Sequence, residues 1–336
     1  MAVPITTREY HLPKMDFADD LTIRTKTIEP PSANEVLVKI HAVSLQHRDL
    51  MVATGTYFAN CVNDLVPCSD MAGEVVAIGG DVKGWKKGDR VCANFITEHL
   101  YGDLDPNIQQ TFPPHHLSYE EASTLPCAAV TAYNALLGPV PIKAGDHILV
   151  LGTGGVSIFA LQFALASGAI VIVTSSSDDK LKTATKLGAN HVINYKQTPN
   201  WDEEVLKITN GVGVDHVIEV GGDGTLAKSM KSARYGGHVQ LVSFLAQKNV
   251  GVEISPIAVW KSITLRGVQI GSVAQFKDMD RLISANPEKT RPIVDKVFPF
   301  EEAKQAYLYL NSQAHVGKVV IKVSKDQWSS IYVDYI

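Results

Sequence analysis

The run Ile148-Leu-Val-Leu151, Gly152-Thr-Gly154-Gly155-Val-Ser157, an apolar stretch to Gly168, and Ala169-Ile-Val-Ile-Val-Thr174 reads as a strand, a glycine turn, a buried helix and a second strand. No charged residue falls between His147 and Asp178. A glycine turn that opens a helix after a buried strand lets the backbone close on a pyrophosphate, whose charge then sits against free N–H groups at the helix start. The segment predicts a dinucleotide site. Two other readings compete with it. The uncharged run is long enough to span a bilayer, but clustered glycines, the polar Gln162 and β-branched runs on both sides argue against a span, and Asp178-Asp179-Lys180 follows without a basic loop. A βαβ unit without ligand is the other reading, because Ile158 stands where the dinucleotide fingerprint has its third glycine.

The 336 residues suffice for two domains with their own cores, and 45% hydrophobic with 20% charged residues is the balance of a soluble globular chain. A net charge of −4 with no block of like charge gives no attraction to nucleic acid or an anionic membrane, so a small molecule is the expected partner. Met1 to Tyr10 has no basic start followed by an apolar core, and Asp334-Tyr335-Ile336 is no address signal, which makes the expected location cytoplasmic. Cys61, Cys68, Cys92 and Cys127 lie too far apart for a zinc knuckle and are expected as thiols.

Three blocks follow from the pattern. Residues 1–116 carry short β runs, Val36-Leu-Val-Lys-Ile40 and Gly73-Glu-Val-Val-Ala-Ile78, between turn signals. Residues 117–271 alternate strands and helices: His191 to Tyr195, helical Trp201 to Thr209, Val214 to Val220, a helix near Thr225 to Arg234, and Gly237 to Val242. Such alternation predicts an α/β block with a parallel sheet covered on both faces. Residues 272–336 end in a helix, Glu301 to Asn311, and a strand, Lys318 to Val323, that are expected to rejoin the first block.

Val43-Ser-Leu-Gln-His-Arg-Asp-Leu50, Ser69-Asp-Met-Ala-Gly-Glu-Val-Val76, Gly88-Asp-Arg-Val91, Leu125-Pro-Cys-Ala-Ala-Val-Thr-Ala-Tyr133, Leu151 to Ser157, Gly188-Ala-Asn-His-Val-Ile-Asn-Tyr195 and Gly317-Lys-Val-Val320 occur in this order along nearly the whole chain. Together they resemble the medium-chain dehydrogenase/reductase superfamily, in its zinc-independent, quinone-oxidoreductase-like branch, which includes fungal zinc-type alcohol dehydrogenase-like proteins. The resemblance implies a GroES-like β-rich substrate domain made from both termini, a doubly wound Rossmann domain between them, and chemistry in the cleft. It also implies where a catalytic zinc would sit: the ligand positions fall on Gln46, Ser69 and Cys127. A catalytic zinc takes three protein ligands from nitrogen, sulfur and carboxylate donors, and only Cys127 is one, with Asp70 a neighbouring carboxylate. No metal is therefore expected.

Without a Lewis acid, an unactivated ketone loses the group that stabilises its alkoxide. A quinone or enone, whose product charge spreads over conjugation, depends on one less. The expected reaction is hydride transfer from NADPH to a conjugated carbonyl, quinone or aldehyde, with Gln46 and His47 as the hydrogen-bond donors. A surface histidine beside a helix cap is an equal reading of His47. Arg48 and Asp49, an Arg beside an Asp at a helix start, read first as an ion pair or cap.

The coenzyme's phosphate is read at the end of the second Rossmann strand. An acidic residue there would bind both ribose hydroxyls of NAD and repel a 2′-phosphate; Val173-Thr-Ser-Ser-Ser177 offers hydroxyls, with Lys180 a turn beyond. In this family Ser175, Ser176 and Lys180 would meet the phosphate and Tyr195 the adenosine end. Thr131, Gly152, Thr153, Gly154, Gly155, Val156, Gly221, Val242 and Phe244 complete the expected contacts with NADPH.

One stretch departs from the family. Asp103 to Phe112 runs almost directly into Pro113-Pro-His-His-Leu-Ser118, as though a substrate-domain strand near 103–113 were missing, and the tail Ser324 to Ile336 is a candidate substitute. A missing strand leaves a sheet edge to be covered. A nucleotide-binding protein without turnover and a zinc alcohol dehydrogenase therefore stand as alternatives. Ser262-Ile-Thr-Leu-Arg-Gly-Val-Gln-Ile-Gly271 is expected as the last Rossmann strand, whose apolar edge predicts a homodimer. Tyr57, Phe58 and Phe95 read as core aromatics before pocket walls.

Overall fold

A computed structural model describes residues 6–57, 64–95, 113–243, 245, 254–323 and 330–333. Phe58, Cys61, Phe244 and the 103–112 stretch lie outside them. The chain divides into two compact units, one of residues 1–128, 272–281 and 292–336, the other of 129–271 and 282–291. In chain order the first contributes β1 (Thr6–His11), β2 (Thr22–Thr27), β3 (Val36–Ser44), α1 (His47–Ala53), β4 (Asp70–Ile78), β5 (Arg90–Cys92) and α2 (Tyr119–Ala122). The second holds α3 (Val130–Leu137), β6 (His147–Leu151), α4 (Gly155–Ala166), β7 (Ile170–Ser175), α5 (Asp178–Lys186), β8 (His191–Asn194), α6 (Trp201–Ile208), β9 (Val214–Glu219), α7 (Leu226–Ser232), β10 (Ala233–Leu241), α8 (Ile254–Lys261) and β11 (Thr264–Gly267). After α9 (Val273–Ala285) the chain returns to the first unit with β12 (Val294–Pro299), α10 (Ala303–Asn311), β13 (Lys318–Lys322) and β14 (Ser330–Val333).

The second unit is a parallel six-stranded sheet in the order β8-β7-β6-β9-β10-β11. Ile148, Leu149 and Val150 on β6 are all fully buried, without alternation, because helices cover both faces. The α4 helix buries every residue from Ser157 to Ala164, as a helix without a polar face must. Strand order reverses between β6 and β9, and ligands in such sheets bind outside the carboxyl ends at that point.

The last strand is shorter than the ten residues expected, four residues of β11, because Ser262 (φ 52°) and Ile270 (φ 55°) take left-handed backbone on either side of it. The strand expected from Gly237 begins at Ala233 instead, where Arg234 Nε donates to Asp215 on neighbouring β9 at 2.6 Å.

The sheet of the first unit runs β12-β13-β3-β4-β5, antiparallel except for β12 with β13. Val36, Val38 and Ile40 of β3 pack with Met71, Val75 and Val91. The tail does add a strand: β14 pairs antiparallel with β3 from Val36 to Lys39, beyond the point where β13 pairs at Ala42 to Ser44.

The first unit boundary falls at 128/129 rather than 116/117; the second falls at 271/272, and residues 282–291 then go back to the second unit. The Tyr119 ring stacks on His41 of β3 at 4.2 Å, and Arg90 Nη2 donates to Leu117 O at 2.6 Å, which ties α2 to the first unit. Gln162 Nε2 donates to Arg291 O at 2.7 Å, which holds 282–291 in the second. Among the described residues no helix is long and apolar enough to cross a membrane, and Cys68, Cys92 and Cys127 are free thiols.

Candidate functional site

At the end of β6 the chain turns through Gly152, whose φ of 75° favours glycine and whose N–H donates to Thr174 O at 2.8 Å. Thr153 is buried, and Gly154 caps α4 with ordinary dihedrals (φ −76°, ψ −175°). A Cβ built on Gly154 meets no atom within 4 Å. Neither strain nor packing within the protein explains a glycine there, but room for a close ligand does. The first turn of α4, Gly155 and Val156 onward, has no side-chain cap: Ser157 Oγ donates back to Leu151 O at 2.7 Å. Its leading N–H groups and the helix dipole are left to an anion.

The loop after β9 stands beside this turn, since a Cβ on Gly152 would lie 4.0 Å from Val220 Cγ2. Val242 N–H donates to Glu219 O at 2.9 Å, so Gly152, Gly221 and Val242 are gathered at the carboxyl ends of neighbouring strands. The buried carboxylate of Glu219, which the sequence reading passed over, fixes that loop through Gly221, Gly222 and Thr225. Its signal was an acid at the carboxyl end of a buried strand.

At the end of β7, Ser175 is buried and its carbonyl accepts the Tyr195 N–H at 3.0 Å, while Ser176 and Lys180 are half-buried. Asp178, the nearest acid, takes Asn194 Nδ2 at 2.7 Å and Gln197 Nε2 at 2.8 Å, and is thereby committed to the loop after β8. Tyr195 is 42% exposed. Thr131 is buried in the first turn of α3.

In the first unit, Gln46, Ser69 and Cys127 meet on one carboxylate. Gln46 Nε2 donates to Asp70 Oδ2, Ser69 Oγ donates to Asp70 Oδ1 at 3.1 Å, and the Cys127 backbone N–H also donates to Asp70. Gln46 is the N-cap of α1, and Asp49, three residues on, completes the capping box: its Oδ2 accepts the Gln46 N–H at 2.7 Å. Asp49 and Asp70 are both fully buried. Burial pushes the Asp49 carboxyl up to about 7 and Asp70 to about 6, against the pull of Lys318 on both. Lys318 is itself buried, its pKa lowered by burial, and its Nζ donates to Leu45 O at 2.5 Å. This ammonium, also unread in the sequence, supplies positive charge where two carboxylates are sealed from water.

The donor set does not fit zinc. The Gln46 amide nitrogen and the Ser69 hydroxyl point their hydrogens at Asp70, leaving Cys127 and Asp70 as the two ligand types present. No group of three metal-ligating side chains occurs among the described residues.

His47 opens α1 with more than a third of its surface exposed, yet the protein packed around the ring still lowers its pKa, which favours the neutral imidazole at pH 7. Beside it the Arg48 guanidinium lies 5.1 Å from the ring centres of both Tyr57 and Phe95, so these half-buried aromatics flank a cation rather than fill the core.

A glycine turn at the switch point of a doubly wound sheet, with a β-rich unit built from both ends of the chain, defines a nicotinamide-dependent oxidoreductase fold. Residues 155–285 match the zinc-binding dehydrogenase family model and residues 32–110 the alcohol dehydrogenase GroES-like domain. The chain is 46% identical to a zinc-type alcohol dehydrogenase-like protein of Schizosaccharomyces pombe over 86% of its own length and 91% of that protein's. It is 28% identical to the quinone oxidoreductase of Rattus norvegicus, covering 90% and 93% of the two chains. The crystal structure of a Sinorhizobium meliloti protein assigned as an alcohol dehydrogenase superposes with a TM-score of 0.85 at 31% identity, over 96% of this chain and all of that one, 100%. The chain belongs to the medium-chain dehydrogenase/reductase superfamily.

Proposed function

We propose that this oxidoreductase uses NADPH to reduce a conjugated carbonyl, quinone or aldehyde without a catalytic metal. The observation that carries the reading is the commitment of the Gln46 amide and the Ser69 hydroxyl to Asp70, which leaves Cys127 alone among the three would-be ligand positions with a zinc-binding side chain. Bound NADPH supplies the hydride. The residues of the chain do the rest. The turn at Gly152 to Gly155 receives the pyrophosphate, and Ser175, Ser176 and Lys180 receive the 2′-phosphate, since no uncommitted acid stands there to bind ribose hydroxyls instead. Gln46 and His47 border the acceptor; Asp70 holds the Gln46 carboxamide in one orientation, and neutral His47 passes a proton to the reduced product. Free thiols at Cys68, Cys92 and Cys127 suit a reducing cytoplasmic setting.

NADPH oxidation is measured with a panel of quinones, enones and aldehydes, with and without 1,10-phenanthroline, beside elemental analysis of the same protein. Turnover of conjugated acceptors that ignores the chelator, without stoichiometric zinc, is the expected result. Chelator-sensitive oxidation of simple alcohols would overturn it, and NADPH binding without turnover of any acceptor would mark a non-catalytic nucleotide binder.

A further inference from the structure

The substrate side of this site holds several hydrogen-bond donors, and most are already spent. The Gln46 amide and the Ser69 hydroxyl serve Asp70, the Lys318 ammonium serves Leu45 O, and the Gln46 backbone N–H serves Asp49. Arg48 differs. Its Nε is buried without a hydrogen-bond partner, its side chain is 30% exposed, and its one measured contact to Asp49 is a long 3.4 Å from Nη1 to Oδ1. It is nevertheless held in place, with Tyr57 and Phe95 each 5.1 Å away and a hydrogen bond to Tyr57. Rings on a guanidinium fix its plane, and beyond the Tyr57 hydrogen bond the Nε–H stays unspent. Its charge acts on the Cys127, Cys68 and Tyr307 side chains of the same unit.

Reading Arg48 as a simple ion pair with Asp49 leaves this unexplained. Asp49 already makes its capping bond at 2.7 Å to Gln46, and a structural partner for it would not need an aromatic clamp or an idle buried N–H. A fixed cation with a donor to spare is what a site lacking a Lewis acid requires where oxygen gains charge.

We propose that Arg48 is a catalytic electrophile: its guanidinium donates to the carbonyl oxygen of the acceptor as that oxygen becomes an oxyanion. The proposal rests on the function given above. When a hydride from the dihydronicotinamide adds to the β-carbon of an enone, a C–H bond forms there and the C=C π pair moves to the carbonyl carbon. The C=O π pair then moves onto oxygen, which Arg48 meets. Two electrons have passed from the dihydronicotinamide, left oxidised, to the acceptor, and a proton passed through His47 to the α-carbon, and replaced on His47 from solvent, gives the saturated ketone. Arg48 stays protonated throughout.

The test uses the full-length protein, methyl vinyl ketone and 9,10-phenanthrenequinone as acceptors, and the variants Arg48→Met and Arg48→Lys. For Arg48→Met, kcat is expected to fall by roughly 100-fold or more, the cost of removing one oxyanion donor, with NADPH affinity and melting temperature unchanged. Arg48→Lys is expected to keep part of the rate, and millimolar guanidinium ion is expected to restore part of the activity of Arg48→Met. A structural role would not give that rescue. The proposal is overturned if Arg48→Met turns over at the wild-type rate. It is equally overturned if both variants lose activity together with thermal stability and guanidinium restores nothing. Failure of the wild type to reduce either acceptor, despite bound NADPH, is a different result: it removes the proposed function itself and this role with it.

Discussion

Glu219 Oε1 accepts the backbone N–H of Gly221 at 2.6 Å, and the same atom takes the Gly222 N–H at 3.0 Å and the Thr225 hydroxyl at 2.6 Å, while Oε2 takes the Ser229 hydroxyl. A buried carboxylate is tolerated because four donors surround it. The close approach also dictates the glycine: a Cβ on Gly221 would lie 2.3 Å from Thr225 Oγ1. Replacing Glu219 by Gln sets an amide NH2 against these donors and strands at least one of them. Urea unfolding is expected to show a loss of about 2 kcal/mol, accompanied by weaker NADPH binding. Stability within about 0.5 kcal/mol of wild type would show that the loop does not need the charge.

Gly154 separates folding from binding. Its dihedrals suit any residue and its missing side chain touches nothing, whereas serine is a good helix cap. Gly154→Ser is expected to melt at or slightly above the wild-type temperature while NADPH affinity drops at least about 10-fold, or 1.4 kcal/mol, as read by fluorescence titration. Unchanged affinity would mean that the pyrophosphate does not approach this backbone.

Lys180 tests the choice of coenzyme. It stands in the first turn of α5, beyond Ser175 and Ser176, with Asp178 turned to Asn194 and Gln197. Removing one charge-assisted phosphate contact costs about 1.5–3 kcal/mol, so Lys180→Ala is expected to raise the KM for NADPH by an order of magnitude or more and to leave that for NADH alone. Equal effects on both coenzymes contradict the assignment of the 2′-phosphate.

Local signals made the parallel sheet legible: β-branched runs of strand length, glycines at the turns and no charge over the first βαβ unit. The substrate side was legible only as positions. Lys318 and Leu45 are 273 residues apart in sequence and meet through the pairing of β13 with β3, which no periodicity announces. Arg48 and Asp49 read alike as a helix-start pair, and the structure separates them, giving Asp49 the capping box and Arg48 the aromatic clamp. The strand shift to Ala233 came from a side-chain pair, Arg234 with Asp215, whose partner lies on another strand.

His216 on β9 stacks on His238 of β10 at 4.9 Å, and burial, with His238 a smaller contribution, lowers its pKa to about 4. A base whose folded pKa lies below its unfolded value near 6.5 takes up protons preferentially in the unfolded chain. Its stability contribution is complete above pH 6.5 and is lost as pH falls toward 4. Between pH 7 and pH 5 that loss is about 2 kcal/mol. His216→Phe keeps a ring on His238 and cannot titrate. Its unfolding free energy is expected to change less than that of wild type over this interval, and parallel pH profiles for the two proteins would reject the linkage.

Trp260 and Val259 on α8 are 77% and 79% exposed, beside the edge strand β11, whose outer side has no strand partner among the described residues. Large apolar side chains next to an unpaired edge invite a second strand, and a second copy of the same edge satisfies both at once through a two-fold axis. We propose a homodimer formed there. Trp260→Glu places a charge at the centre of that contact while removing nothing from the buried core of its own chain. Sedimentation velocity is expected to show the wild type as a dimer and Trp260→Glu shifted to monomer at micromolar concentration, with its melting temperature lowered only by the loss of association. A wild type that sediments as a monomer, or a variant that dimerises as tightly, places the interface elsewhere.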